Sequence, residues 1–336
     1  MKEFANKFYT VGVFSDVKRA LDKMWHDGLT YKLIKLKFPG YVIKIIHNYL
    51  HNRTFRVRVN NTYSTNGHIQ SGTPQGSSLF PSLYNIYTHD FPEHPTVSTC
   101  LFADDSAMLS QDTQLKYTLK NMKNFLDRLQ DWLTHWRIAI NVDKSQAIIF
   151  RKWGVIDPPP FHLTQFDDNI QWVSVVRYLG LHMDSRLTYK KHIDFLSEKF
   201  WGRIHLAISL VGRNSPLSLD NKVILYKQVL RPIITYASPV WGAAAVTHMK
   251  KIQAIQNKIL RLMTNAPWYV RNDVIHYDLH MEPISSYITK LARHVFRSIK
   301  NHDNPIIRAQ TMFTYPHPKL KFAYATAKWQ IPLKPP

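Results

Sequence analysis

The chain has 336 residues, enough for two domains and a sizeable core, and it sets 44 Lys and Arg against 23 Asp and Glu, a net charge of +21. So basic a balance says little about fold but suits a polyanionic partner. Cys100 is the sole cysteine, which excludes an intramolecular disulfide and a thiolate zinc site. None of the 17 histidines falls in an HExxH or paired-cysteine pattern. No apolar run reaches the ~18 residues of a membrane span and no signal-peptide pattern opens the chain. The expectation is a soluble intracellular protein, nuclear or cytoplasmic, with no membrane partner.

Tyr9 to Phe14 is an apolar, strand-like run that ends at Ser15-Asp16, so Asp16 falls where α/β architectures place functional groups. Lys18 to Met24 reads as a short helix. From Thr30 to Leu50 the apolar residues have helical spacing, broken at Pro39-Gly40. Arg53 to Val59 alternates basic and apolar residues and reads as a strand with one basic face, turning at Asn60-Asn61 into a return strand at Tyr63. A solvated charged face and a ribbon lying on a nucleic-acid backbone both fit that pattern.

Gly72 to Ser78 is a loop by composition and feeds the helical run Leu79 to Tyr87. Such a loop brings backbone N–H groups close to a phosphate or a base pair. Next comes Leu101-Phe102-Ala103-Asp104-Asp105-Ser106-Ala107-Met108-Leu109, which reads as a β-hairpin whose tight connection is the Asp104-Asp105 pair. Taken alone, that stretch fits an ordinary acidic hairpin tip equally well. Leu115, Leu119, Met122, Leu126, Leu129, Leu133 and Trp136 then mark one stripe of a long helix, a packing face rather than a site. Ile138 to Phe150 reads as two strands around Asn141 to Ser145, Pro158 to Pro160 as a loop, and Val173 to Met183 as a further hairpin. Beyond Ser185 helical patterns take over, at Ile193 to Val211, Asp220 to Tyr236 and Met249 to Met263. The stretch from Asn301 to Pro336 is basic and punctuated by prolines, and no structure is assigned to it.

Asp16 and Asp104-Asp105 each end or turn a predicted strand. If those strands are neighbours, three carboxylates converge. Hard anionic oxygens suit Mg²⁺, which binds carboxylates, waters and substrate phosphates. Two such ions about 3.5–4 Å apart activate a 3′-hydroxyl and stabilise a departing pyrophosphate. In a chain this basic, template-directed phosphoryl transfer is one reading. A nucleic-acid-binding protein with no chemistry is the other, and dependence on metal separates them.

The residues quoted resemble the reverse transcriptases of non-LTR retrotransposons, specifically those of the jockey group. Val13 to Leu33 is similar to the family's first catalytic motif, with Asp16 at the metal-binding aspartate and Trp25 to Leu29 as its tail. Gly72 to Ser77 with Leu83 to Tyr87 resembles the loop and helix that contact dNTP and template, and Phe102-Ala103-Asp104-Asp105 the catalytic box. Asn141 to Phe150 resembles the motif whose lysine, here Lys144, protonates the leaving pyrophosphate. Tyr178-Leu179-Gly180-Leu181 with Met183-Asp184 resembles the hairpin that grips the primer. Tyr236 to Gly242 and Gln256 to Arg261 extend the likeness into the helical part.

The resemblance implies an α+β fold: a palm with an antiparallel sheet over residues 1–185, an α-helical thumb or connection over 186–300, and a basic tail over 301–336. It implies RNA-directed DNA polymerisation with two Mg²⁺ ions, or Mn²⁺, held by Asp16, Asp104 and Asp105, on an RNA template and a DNA primer with dNTPs. Pro74, Gln75 and Gly76 would line the nascent base pair, and Tyr178, Leu179 and Gly180 would position the primer. A catalytically dead remnant that only binds nucleic acid is the alternative. Two departures stand out: Phe80 replaces a glycine, and Leu21 stands where the family carries an aromatic that blocks a ribose 2′-hydroxyl. Leu21 is therefore either the sugar gate or a packing residue. The fingers that hold the triphosphate are expected to lie upstream of the first motif.

Overall fold

The computed structural model describes residues 8–18, 20–74, 76–152, 154, 159, 162–242 and 244–309. They form two compact units, one ending at Leu179 and one beginning at Gly180.

The first unit is built on a five-stranded sheet whose central strand is β1 (Tyr9–Asp16). Helices α1 (His26–Lys35), α2 (Gly40–Leu50) and α3 (Phe80–Tyr87) follow, then strands β2 (Val97–Phe102) and β3 (Asp105–Asp112). The long helix α4 (Leu115–His135) leads to β4 (Gln146–Phe150) and β5 (Gln171–Trp172). The spatial order is β5-β4-β1-β3-β2. β1 runs antiparallel to both β3 and β4, while the short β5 runs parallel to β4.

Six residues of β1 in a row, Thr10 to Ser15, are buried because both faces of the sheet are covered. Val11 and Val13 pack into the same cluster as Leu119, Met122, Phe125, Leu126, Leu129 and Leu133 of α4. Each of these large side chains contributes about 2 kcal/mol relative to leaving it in water. On the other face Gly12 leaves room for three neighbours. A Cβ there would meet the rings of Phe14 and Phe150 and the Leu109 side chain at 3.0–3.2 Å. α4 stops at Trp136 because Arg137 turns left-handed (φ 55) and the Ile138 N–H reaches back to the Leu133 carbonyl. The same device ends α1, where Lys37 has φ 59 and the Phe38 N–H bonds Leu33. Pro39 then caps α2, so the break expected at Pro39-Gly40 is a true helix–helix junction.

One charged residue of α1 is fully buried. Lys32 Nζ lies 2.6 Å from Asp90 Oδ1, donates to the Tyr87 carbonyl and sits 3.6 Å from the centre of the Trp136 ring. The Trp132 indole N–H donates to the same Asp90 oxygen at 3.1 Å. This knot ties α1 to the end of α3 and to α4.

Two sequence readings need correction. The tight connection of the acidic hairpin is Ala103-Asp104, since Asp105 already pairs with Phe102. Ala103 takes the left-handed conformation, φ 50, that two adjacent aspartates suggested for one of themselves. The stretch from Ile138 contains one strand, not two. Ile140 makes only an isolated bridge to Val17, and Val142–Lys144 is a 3₁₀ turn before β4. Pro158 and Pro160 lie outside the described residues, as does everything beyond Ala309, so neither the triple-proline loop nor most of the basic tail is described.

In the second unit α5 (Lys190–Val211), α6 (Val246–Thr264) and α7 (Ile284–Lys300) pack around Phe200, Tyr226, Trp241, Ile252, Ile259 and Ile288. The run Leu219 to Thr235 is helical throughout, with a π turn at Tyr226–Leu230. Pro232 follows that turn and has no N–H to continue an α ladder, which accounts for the looser register before it. Gln256, fully buried on α6, caps α7 from outside. Its Oε1 accepts the Ile284 N–H at 2.7 Å while its amide donates to the Glu282 carbonyl at 3.1 Å. No helix among the described residues is long and apolar enough to cross a membrane.

Candidate active site at the end of the central strand

The antiparallel register of β1 and β3 sets Asp16 directly opposite Asp105, with Ser15 opposite Ser106 behind them. Asp104 is in the turn between β2 and β3, and its carbonyl accepts the Val17 N–H at 3.1 Å. On the other side of β1 the Asn141 N–H donates to the Asp16 carbonyl at 2.9 Å and the Lys18 N–H to Ala139 at 2.7 Å. The backbone at Asp16 is thus clamped between the acidic turn and the segment leading to Lys144. Lys144 Nζ lies 3.6 Å from Asp16 Oδ2, and both side chains reach solvent.

Burial pushes the Asp105 carboxyl above the ordinary carboxylate range, and the charges of Asp104 and Asp16 push it the same way. Repulsion of this kind is what a bound cation relieves. Among the described residues no three His, Cys, Asp or Glu side chains close around one point. The carboxylates line one end of the sheet and do not form a finished cage. Such an open set fits Mg²⁺, which keeps waters and takes one or two carboxylates plus substrate phosphates.

Tyr178 stands on the opposite face of β1 from α4. Its ring lies 5.3 Å from that of Phe14, and its hydroxyl donates to the Cys100 carbonyl at 3.4 Å. Burial, then Cys100 and the charge of Asp105, push its phenol up to about 12. Leu179 and Gly180 both turn left-handed, at φ 46 and 76. The Tyr236 ring is 3.3 Å from where a Cβ on Gly180 would lie. Gly180 opens the second unit.

The Gly72–Ser78 loop is anchored at both ends. The Gly72 carbonyl accepts from His26 Nε2 at 2.7 Å and from Arg53 Nη2 at 2.5 Å, and the Gly72 N–H donates to Met24 at 2.9 Å. Burial lowers the His26 pKa, so the ring is neutral at pH 7 with its Nε2–H committed to Gly72. At the far end the Tyr49 hydroxyl donates to Ser77 Oγ at 2.8 Å. Pro74 is half-buried, and Gly76 is exposed at φ 81, a conformation that glycine adopts without strain. Gln75 lies outside the described residues, as does the Leu21 side chain; the Leu21 backbone belongs to the short helix Ala20–Lys23. His26 and Arg53 were not readable as anchors. Their partner Gly72 is 46 and 19 residues away.

Residues 2–183 match the family described as reverse transcriptase (RNA-dependent DNA polymerase). The chain is 33% identical over 312 residues to a probable RNA-directed DNA polymerase from transposon X-element of Drosophila melanogaster, covering 91% of this chain and 34% of that protein. It is 31% identical over 316 residues to the RNA-directed DNA polymerase from mobile element jockey of the same fly, covering 92% and 34%. The chain therefore spans about a third of the length of these relatives. A telomerase structure from Candida albicans, in complex with a TWJ fragment of telomeric RNA, is similar at a TM-score of only 0.40. That match has 11% identity and covers 91% of this chain and 50% of that one. The family match spans over half of the chain and takes in both carboxylate strands, the anchored loop and Lys144, so the chain belongs to the reverse transcriptase family.

Proposed function

We propose that the chain is the polymerising part of an RNA-directed DNA polymerase of a jockey-like non-LTR retrotransposon, extending a DNA primer on an RNA template with dNTPs. The observation that carries this reading is the pairing of Asp16 with Asp105, with Asp104 in the adjoining turn. Reverse transcriptases use divalent metal ions. Here Asp16, Asp104 and Asp105 would hold two Mg²⁺ ions, or Mn²⁺. When bound, such ions supply charge that favours the 3′-alkoxide and the leaving pyrophosphate.

In the reaction the primer 3′-hydroxyl gives its proton to solvent, its oxygen forms a bond to the α-phosphorus, and the bond from that phosphorus to the oxygen bridging to the β-phosphate breaks. The electron pair leaves with pyrophosphate. Lys144, whose Nζ lies beside Asp16, donates the proton that pyrophosphate takes up and regains one from solvent. Pro74, Gln75 and Gly76 line the nascent base pair, on a loop braced by His26, Arg53 and Tyr49. Leu21 is the candidate for discriminating the sugar of the incoming nucleotide. Tyr178, Leu179 and Gly180 position the primer end. On this reading the first unit is the palm, the second the thumb.

Primer extension on an RNA template with Mg²⁺ tests it. Asp104→Asn should lower the rate by about a thousandfold or more, the scale of losing one charge-stabilising group, while template binding is retained. Undiminished synthesis by the variant overturns the reading.

A further inference from the structure

Between Asp27 and Asp90 the sequence has no carboxylate at all, yet it has seven Lys and Arg. The most exposed part of that stretch is the hairpin between α2 and the Gly72 loop. Every residue from Thr54 to Asn66 is exposed. Near its foot Arg53–Phe55 pairs with Gly67–Ile69, and towards the tip Arg58–Val59 pairs with Thr62–Tyr63. Between these ladders the return strand carries one extra residue, so the ribbon is bulged and more strongly twisted.

Strand alternation puts Arg56 and Arg58 on one face, with Tyr63 directly opposite Arg58. The Arg58 guanidinium lies 5.6 Å over the Tyr63 ring. Its Nε donates to the Asn60 carbonyl and its Nη2 to Asn61 Oδ1, both at 3.0 Å, and Arg56 Nε donates to Asn66 Oδ1. These partners are all neutral. They aim the guanidinium groups without cancelling their charge, and among the described residues no carboxylate pairs with either arginine. The foot of the hairpin is tied through Arg53 to Gly72, the anchor of the Gly72–Ser78 loop.

We propose that this basic face is a binding site for single-stranded RNA, with Arg56 and Arg58 on successive phosphates and Tyr63 as a platform for one base. The proposal deepens the polymerase reading, with template RNA as the occupant. A narrow two-stranded ribbon with paired cations and one flat ring suits an unpaired strand, because each base offers a π face and the backbone can follow the twist.

The test is the equilibrium binding of a 20-nucleotide oligouridine, without primer or dNTP, across a salt series. Removing two phosphate contacts should lower the slope of log affinity against log salt by about 1.4, since each contact with a single strand contributes ~0.7. Arg56→Ala/Arg58→Ala should show that drop and weaken binding about tenfold at 0.1 M salt. Lys116→Ala/Lys120→Ala, which removes two exposed charges from α4, should leave the slope unchanged. Tyr63→Ala should weaken binding about fivefold and Tyr63→Phe should not, because the ring is what stacks. An unchanged slope in the arginine variant, or an equal drop in the α4 variant, overturns the site. So does an equal loss of affinity for duplex DNA. Binding here is read without catalysis, so failure of the site is distinct from failure of Asp104→Asn to stop synthesis.

Discussion

Lys144 Nζ lies 3.6 Å from Asp16 Oδ2, across the end of the central strand, with both groups open to solvent. A pair so exposed contributes little to stability, about 0–1 kcal/mol. Its removal therefore reports on chemistry and not on folding. If Lys144 is the proton donor to pyrophosphate, Lys144→Met should lower single-turnover nucleotide addition by about a hundredfold, at the low end of general acid catalysis. Thermal melting should stay within about 1 kcal/mol of the native chain. A rate within twofold of native removes Lys144 from the mechanism.

The buried Lys32 behaves in the opposite way. Its ammonium is fully enclosed by Trp136, the Tyr87 carbonyl and Asp90, whose carboxylate is half-buried. Lys32→Ala leaves that carboxylate without its cation and opens a cavity between α1 and α4. We expect a loss of about 3 kcal/mol in denaturant unfolding. Lys32→Met with Asp90→Asn, which removes both charges, should recover much of it. Equal losses in the single and double variants would show that packing, not charge, holds the knot.

His192 sets a pH dependence for the second unit. Burial, and then the neighbouring His182, lower its pKa to about 4 from 6.5. The folded state therefore holds the ring neutral while the unfolded chain binds a proton below pH 6.5. The stability contribution is complete above that pH and is lost as pH falls towards 4. Between pH 7 and 4.5 the loss should be about 2 kcal/mol. Melts of the native chain and of His192→Gln across that range check it, with a flatter profile expected in the variant.

Leu21 is the candidate sugar gate. An apolar wall rejects a single hydroxyl by about a hundredfold at most unless it is closely placed, and leucine lacks a flat ring to press on C2′. Leu21→Phe should raise the dNTP-over-rNTP preference in primer extension by about tenfold, within that limit. An unchanged ratio makes Leu21 a packing residue.

Some of this architecture is legible in the sequence because it is local. The stripe from Leu115 to Trp136 has the period of a helix that buries one face, and that helix is α4. The strands ending at Asp16 and around Asp105 are apolar runs bounded by polar turns, and their pairing sets Asp16 opposite Asp105. What was misread or missed depends on partners far along the chain. Lys32 looks like any exposed helical lysine until Asp90 and Trp136 close over it. The helix α7 owes its start to Gln256 on α6, a cap with no trace in the residues around Pro283. Whether the acidic turn uses Ala103-Asp104 or Asp104-Asp105 is decided by the ladder with β1, where Asp105 must face Asp16.

The account rests on three carboxylates acting as one metal site. Titrating Mn²⁺ against the chain bound to an RNA–DNA primer-template, with free Mn²⁺ followed by electron paramagnetic resonance, reads that directly. We predict binding to the native chain that weakens at least tenfold in each of Asp16→Asn, Asp104→Asn and Asp105→Asn, the scale of losing one charged ligand from a shared ion. Unaltered Mn²⁺ affinity in all three variants would contradict it.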